Sequence, residues 1–181
     1  MRVIAGQFRR RPLQSLPGLD LRPTSDRLRE TLFDVLSAAR ELSNTVWLDL
    51  FAGTGAVGIE ALSRGARQVY FVESSKRHAR LLRDNLAALD ITSGYELHER
   101  EVAKALPLLE TTGVVCDLCF LDPPYQRRGA YEHTLGCLSQ SRLLALCQMR
   151  SLHLAQMPIP PQQPPVLSRP SFGRRPVARR L

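Results

Sequence analysis

Residues 46–62 read VWLDLFAGTGAVGIEAL, in which a glycine-rich loop separates a strand pattern from a helix pattern. Residues 46–50 predict a strand, and residues 57–62 begin a predicted helix. The loop between them runs from Asp49 to Gly58 and contains three glycines. Glycines allow a tight turn and let the backbone come close to a ligand. The loop therefore predicts a nucleotide-type cofactor site.

The sequence on both sides of this loop continues the alternation of strands and helices that is typical of a parallel sheet. Further strands are predicted at residues 68–73, 95–98 and 114–122. Helices are predicted from residue 24 or 25, and at 75–89, 102–110 and 130–142. The predicted apolar face of the first helix consists of Leu28, Leu32, Val35, Leu36 and Ala39. We expect an α/β fold with a Rossmann-like sheet and helices on both faces.

An acidic residue, Glu73, ends the second predicted strand. A carboxylate at that point can accept hydrogen bonds from both ribose hydroxyls of an adenosine. NAD and S-adenosylmethionine both contain such a ribose, so these two features leave the cofactor open. Asp49, immediately before the loop, would repel a pyrophosphate and suits the cationic amino group of S-adenosylmethionine.

A second motif, Asp122-Pro-Pro-Tyr125, lies at the carboxyl end of the fourth predicted strand, the edge at which open parallel sheets bind ligands. The Asp122 carboxylate and the Pro123 carbonyl can together accept hydrogen bonds from one planar NH2 group. The two prolines fix the direction of that carbonyl. Tyr125 offers an aromatic face on which a base that has left its helix can stack.

In combination, the glycine loop, Glu73 and the DPPY motif resemble class I S-adenosylmethionine-dependent amino-methyltransferases. The stretches MRVIAGQFRRRPL and GLDLRPTSDRLRETLFDVL are similar to the N-terminus of the bacterial RsmD type. The resemblance covers about residues 1–143. It implies S-adenosylmethionine as the cofactor and direct methyl transfer to guanine N2 in 16S ribosomal RNA, of the guanine 966 type. The implied partner is 16S ribosomal RNA or the assembling small ribosomal subunit.

The resemblance also implies roles for individual residues. The cofactor would contact Asp49, Gly53, Gly55, Glu73 and, near its adenine amino group, Glu101. The target base would be held by Asp122, Pro123 and Tyr125. The RNA would contact Arg9, Arg10, Arg11, Arg22 and Arg27, the first three through phosphates. The alternative for these arginines, that they are solvated or paired within the protein, stays open.

The charge of the chain is distributed unevenly. The chain has 181 residues and a net charge of +8, but no acid follows Glu132, so the arginines beyond it carry most of this charge. We predict a basic N-terminal hairpin arm at residues 1–23, a methyltransferase core at 24–143, and an atypical Pro- and Arg-rich tail at 144–181 that is disordered. A seven-stranded methyltransferase sheet needs three more strands after Asp122, and we expect them to be missing or altered.

Several classes of protein and site are not expected. The sequence has no apolar run long enough for a membrane helix and no secretory signal, so we expect a cytoplasmic monomer without a membrane partner. Cys116 and Cys119 have the spacing of metal ligands, but on one strand their sulfurs would face opposite sides, so no metal site is expected.

The sequence leaves two other functions open. DNA adenine-N6 methyltransferases share the DPPY motif. The atypical tail is also compatible with a non-catalytic RNA-binding protein built on a methyltransferase remnant.

Overall fold

The computed structural model describes residues 1–15, 26–124 and 129–144. Its helices are α1 (Asp26–Ala39), α2 (Ala56–Ser63), α3 (Lys76–Ala88), α4 (Val102–Thr111) and α5 (Ala130–Gln140). Its strands are β1 (Val46–Leu50), β2 (Gln68–Val72), β3 (Tyr95–His98) and β4 (Leu118–Leu121). Among the helices of these ranges, none is long and apolar enough to cross a membrane.

The strands form one parallel sheet in the order β3-β2-β1-β4. β1 is central, because it pairs with β2 on one side and with β4 on the other. Leu50 at its end lies level with Val72 and with Leu121, so the segments that follow these three strands meet at one edge of the sheet. The predicted Rossmann-like sheet is confirmed in the residues described.

Helices cover both faces of the sheet, as predicted. On one face, Trp47 of β1 packs with residues of the N-terminal arm, α1, α2 and α3, a cluster that we call the α2/α3 core. On the other face, Leu48 and Leu50 pack with residues of α4 and α5, which we call the α4/α5 core. β1 is buried along its whole length because it contributes side chains to both cores.

α1 turns a different face toward the core than the sequence predicts. Its buried residues are Arg29, Phe33 and Leu36, whereas Val35 and Ala39 are exposed. Arg29 can be buried because its guanidinium donates to a carboxylate in the same helix and to a backbone carbonyl of the arm. The predicted apolar face is therefore wrong at Val35 and Ala39, since a paired arginine occupies part of the buried side.

The N-terminal arm is a small antiparallel hairpin, as predicted, and it is packed onto the core. Arg2 lies opposite Pro12, and the Val3 amide donates to the Arg11 carbonyl at 3.0 Å. Val3 and Leu13 are buried in the α2/α3 core. The predicted end of the arm at residue 23 lies outside the described residues.

After α5 the chain returns to the sheet beside the start of β4. The Cys116 amide donates to the Leu143 carbonyl at 2.6 Å, and Cys116 forms a parallel bridge with Leu144. This sheet contact lies at the first residue of the segment predicted as a tail, and the sequence did not indicate it, because leucine is a weak strand signal. Residues 145–181, the rest of that predicted tail, lie outside the described part of the chain.

β4 is shorter than predicted, which changes the interpretation of the two cysteines. The alternation of side chains is interrupted at Asp117, whose carboxylate accepts a hydrogen bond from the Val46 amide at 2.8 Å. Cys116 and Cys119 therefore both pack into the α4/α5 core, and the prediction that they face opposite sides is wrong. Burial raises the pKa of both thiols, to about 12 for Cys116, so the thiolate that a metal needs is disfavoured. No group of three His, Cys, Asp or Glu side chains suited to a metal occurs within the described ranges.

Candidate functional site

The candidate site lies at the carboxyl edge of the sheet, around the end of β1. The glycine loop follows β1, Glu73 directly follows β2, and Asp122 directly follows β4. Because β1 lies between β2 and β4, the loop emerges between these two acids. This is also the point at which the strand order changes direction, where α/β sheets leave a crevice for ligands.

At two positions, the backbone of the loop has a conformation that glycine adopts most easily. Gly53 and Gly55 have φ values of 57° and 77°, in the left-handed region. A Cβ atom at Gly55 would lie 2.8 Å from Leu82 of α3, so this position also has no room for a side chain. Beside Gly53 the nearest atom would be 3.9 Å away, which leaves its backbone open to a ligand.

Three side chains from three different elements hold the backbone of this loop. The Glu73 carboxylate accepts from the Gly53 amide at 2.8 Å. The Asp49 carboxylate accepts from the Gly58 amide, in the first turn of α2, at 2.9 Å. The Asn85 side chain, from α3, donates to the Thr54 carbonyl at 3.0 Å. Asn85 was not predicted from the sequence; its only signal is a polar residue beside the apolar positions of an amphipathic helix.

Asp49 is buried within a negatively charged environment. Asp49 is only 1% exposed. Burial raises the pKa of Asp49 to about 7, the Gly58 hydrogen bond opposes this, and the negative charges of Asp122 and Glu73 raise it further. The edge thus gathers three carboxylates, and a cation bound there would relieve their repulsion, whereas a pyrophosphate would increase it.

Glu73 retains capacity to bind a ligand, although both of its oxygens are already engaged. Oε2 accepts from the Gly53 amide, and Oε1 accepts from the Ser75 amide at 2.7 Å. Each carboxylate oxygen has two lone pairs, so each can accept one further hydrogen bond. The His78 ring lies 4.0 Å from Oε2, at the start of α3. The carboxylate is therefore fixed from the protein side with two lone pairs left for a pair of hydroxyls.

The predicted site residues are brought together only in part. Asp49, Gly53, Gly55, Glu73 and Asp122 lie around one crevice edge. Pro123, like Asp122, is half-buried and directly follows β4. Two further predicted residues are farther away or not described. Glu101 is exposed at the N-terminus of α4, beyond β3 and so one strand farther from β1 than Glu73, and Tyr125 lies in the segment 125–128 outside the described residues.

The predicted RNA-contacting arginines also divide into groups. Arg9 and Arg10 are exposed on the turn of the arm, and Arg27 is exposed in the first turn of α1. Arg11 is exposed as well, but it donates to the Ala88 carbonyl at the end of α3 and pairs with Asp90 at 3.7 Å. Arg11 therefore has a structural contact that fastens the arm to α3. A further predicted residue, Arg22, lies outside the described ranges.

Comparisons with known proteins match most of the chain. A family model described as Conserved hypothetical protein 95 matches residues 1–164. Ribosomal RNA small subunit methyltransferase D of Escherichia coli (strain K12) is 38% identical over 147 residues, which are 80% of this chain and 70% of that protein. The protein of the same name from Haemophilus influenzae is 42% identical over 146 residues, which are 80% of this chain and 73% of that protein.

The likeness extends to solved structures. The structure of yhhF from Escherichia coli, named as a candidate methyltransferase, is 34% identical and has a TM-score of 0.66. The aligned region covers 80% of this chain and 75% of the yhhF chain. The region matched by the family model includes the arm, the glycine loop and Asp122-Pro123. The chain therefore belongs to the RsmD family of class I methyltransferases, which the Conserved hypothetical protein 95 model describes.

Proposed function

We propose that this protein transfers a methyl group from S-adenosylmethionine to the exocyclic N2 of a guanine in 16S ribosomal RNA. The observation that carries the proposal is the position of Asp122-Pro123 beside the glycine loop, with Asp49 at the start of that loop and Glu73 on its other side. A binding site for a planar amine thus adjoins a binding site for a cationic cofactor. The rRNA methyltransferase names of relatives at 38% and 42% identity support the same substrate class.

The residues at the edge fit S-adenosylmethionine better than a dinucleotide. The cofactor would supply an electrophilic methyl group on a positively charged sulfur. Asp49 would attract its cationic amino group, Glu73 would accept from its ribose hydroxyls, and the open backbone at Gly53 would allow close approach. Burial, and to a smaller extent the negative charges of Asp122 and Glu73, raise the pKa of Asp49, and a cation bound beside these carboxylates would offset both effects.

Asp122 and Pro123 would position the guanine amine. The Asp122 carboxylate and the Pro123 carbonyl accept its two hydrogens, which fixes the nitrogen lone pair toward the methyl donor. Holding the two reactants in line converts a bimolecular step into an effectively unimolecular one. As the new carbon–nitrogen bond forms and the carbon–sulfur bond breaks, the nitrogen gains positive charge, which the carboxylate of Asp122 stabilises. S-adenosylhomocysteine would be the leaving group, and the methylated nitrogen would then lose one proton to solvent. Tyr125 would stack on the base that is presented.

The exposed arginines of the arm would bind the RNA backbone. Arg9 and Arg10 lie on one turn, and phosphate contacts from such residues position an RNA without specifying its sequence. The substrate would be 16S ribosomal RNA, either free or in the assembling small subunit. With that substrate, we expect the protein to act in the cytoplasm.

Substitution of Asp122 tests the proposed role directly. Asp122→Ala should bind S-adenosylmethionine with nearly the affinity of the unchanged protein and lose methyl transfer to 16S ribosomal RNA. Asp122→Asn is the matched control, because its amide keeps the shape of the side chain but lacks the charge and should lose most of the rate. Methyl transfer that is unchanged in Asp122→Ala would contradict the role. Duplex DNA offered as the acceptor should receive no methyl group, and preferential transfer to adenine in DNA would contradict the proposed substrate.

A further inference from the structure

Asn85 joins the arm to the glycine loop through a set of hydrogen bonds. Its Oδ1 accepts from the Gln14 amide at 2.7 Å, and its Nδ2 donates to the Gln14 carbonyl at 3.2 Å. The same Nδ2 donates to the Thr54 carbonyl at 3.0 Å. The Asn85 amide therefore pairs with both the N–H and the C=O of Gln14, as the backbone of a neighbouring strand would. It also binds the carbonyl of Thr54, which lies in the loop between Gly53 and Gly55.

The geometry leaves the Asn85 side chain little freedom. Asn85 is 1% exposed, so water cannot replace these partners easily. An amide has one acceptor oxygen and two N–H donors, and all three functions are used by the contacts with Gln14 and Thr54. A displacement of the arm at Gln14 must therefore either move the Thr54 carbonyl or break a buried hydrogen bond.

The other arm anchors do not contact the loop. Glu60 of α2 accepts from the Ile4 and Ala5 amides, at 2.7 and 3.0 Å. Ser63, at the end of the same helix, accepts from the Phe8 amide at 3.0 Å and donates to an arm carbonyl at 2.5 Å. Each of these two side chains thus makes two hydrogen bonds to the arm, as Asn85 does. Within the described residues, Asn85 therefore differs from them in bonding the arm and the loop at once.

We infer that Asn85 is a positioning residue that couples RNA binding on the arm to cofactor binding on the glycine loop. The inference rests on the proposed function, which assigns RNA to the arm and S-adenosylmethionine to the loop. RNA bound at Arg9 and Arg10 would restrain the hairpin and, through it, Gln14. Restraint at Gln14 fixes the Asn85 amide, and this amide fixes Thr54 in the loop conformation that the cofactor needs. By thermodynamic linkage, the cofactor then strengthens RNA binding by the same factor.

Calorimetry with S-adenosylhomocysteine as the probe measures this coupling. Its Kd is determined with and without saturating full-length 16S ribosomal RNA, and the ratio of the two values is the coupling factor. In the unchanged protein we expect a factor of at least about five, at the lower end of the range for linked sites. Asn85→Ala should bring the factor close to one. Ser63→Ala, which also removes two hydrogen bonds to the arm but none to the loop, should leave it unchanged.

Hydrogen exchange in the unchanged protein tests the same link without RNA and without a substitution that could impair folding. Binding of S-adenosylhomocysteine should slow exchange of the Gln14 amide, which donates to Asn85, by at least about fivefold. The Phe8 amide, which donates to Ser63, is the internal control and should be unaffected. Equal effects on both amides, a coupling factor of one in the unchanged protein, or equal loss of coupling in both variants would overturn the inference.

Methyl transfer separates failure of this inference from failure of the proposed function. Transfer to 16S ribosomal RNA with a coupling factor of one contradicts only the role of Asn85. Slowed exchange at Gln14 without transfer to any RNA contradicts only the proposed substrate. A protein that does not bind S-adenosylhomocysteine contradicts both.

Discussion

If Asp49 binds the cofactor as proposed, its ionisation should make cofactor affinity depend on pH just below neutrality. With its pKa raised to about 7, the Asp49 carboxyl is about one-tenth ionised at pH 6 and about half ionised at pH 7. If only the carboxylate attracts the cationic amino group, the Kd for S-adenosylmethionine falls about fivefold between these values. The range stops at pH 7 because an α-amino group, with a pKa of about 7.7 to 8.0, begins to lose its own charge above it.

Proton release provides a second measure of the same event. A bound cation stabilises the carboxylate, so the pKa of Asp49 falls on binding and the carboxyl releases its proton. At pH 7 about half a proton per bound cofactor should be released. Calorimetric titrations in two buffers with different ionisation enthalpies measure this number directly.

Asp49→Asn is the matched control for the pH dependence. Its amide oxygen can still accept the hydrogen bond from the Gly58 amide, but the side chain no longer titrates. The Kd of this variant should be nearly independent of pH from 6 to 7, and its proton release should vanish. A fivefold dependence that persists in the variant, or affinity that weakens as pH rises in the unchanged protein, would refute the role assigned to Asp49.

Three further predictions concern stability and reactivity. Between about pH 4 and 7 the folded protein keeps a proton on Asp49 that the unfolded chain has lost, so this carboxyl lowers the free energy of unfolding as pH rises through that window. The gain in melting temperature of Asp49→Asn over the unchanged protein should therefore be larger at pH 8 than at pH 5, as thermal unfolding measures. Gly58→Ala, whose Cβ would lie 2.2 Å from an aromatic ring of β2, should lower the free energy of unfolding by about 1–3 kcal/mol. Gly136→Ala, in open space on α5, should raise it by about 0.5–1 kcal/mol. Urea titration measures both values, and equal effects of the two substitutions would contradict the packing at Gly58. Iodoacetamide at pH 8 should modify the half-buried Cys137 before the buried Cys116, whose pKa is raised to about 12 by burial, and peptide mass spectrometry that finds the reverse order would contradict the burial.

The features predicted correctly are those that local sequence determines. The positive φ values of Gly53 and Gly55 favour glycine, and a strand, a glycine loop and a helix in succession produce the cofactor edge of a parallel sheet. Ser75 caps α3 through the His78 amide, as a serine before a helix indicates. The predicted parallel sheet follows from the same succession.

The features that were missed depend on contacts between distant segments. Asn85 acts through Gln14 and Thr54, which lie 71 and 31 residues away in the sequence. The buried side of α1 includes Arg29 because a carbonyl of the arm accepts its guanidinium, which helical periodicity cannot indicate. Arg11 is part of a basic run, but its guanidinium fastens the arm to α3. Charge and periodicity identify a basic arm and an amphipathic helix, but the folded structure decides which charged side chains are buried, as Arg29 is, or paired, as Arg11 is.

Nucleoside mass spectrometry of 16S ribosomal RNA, offered both free and in assembling small subunits and incubated with the protein and S-adenosylmethionine, tests the central claim most directly. The proposed function predicts one product, N2-methylguanosine, formed by the unchanged protein and absent with Asp122→Ala. The methyl group on another base, or no methylated nucleoside although S-adenosylmethionine binds, would contradict it.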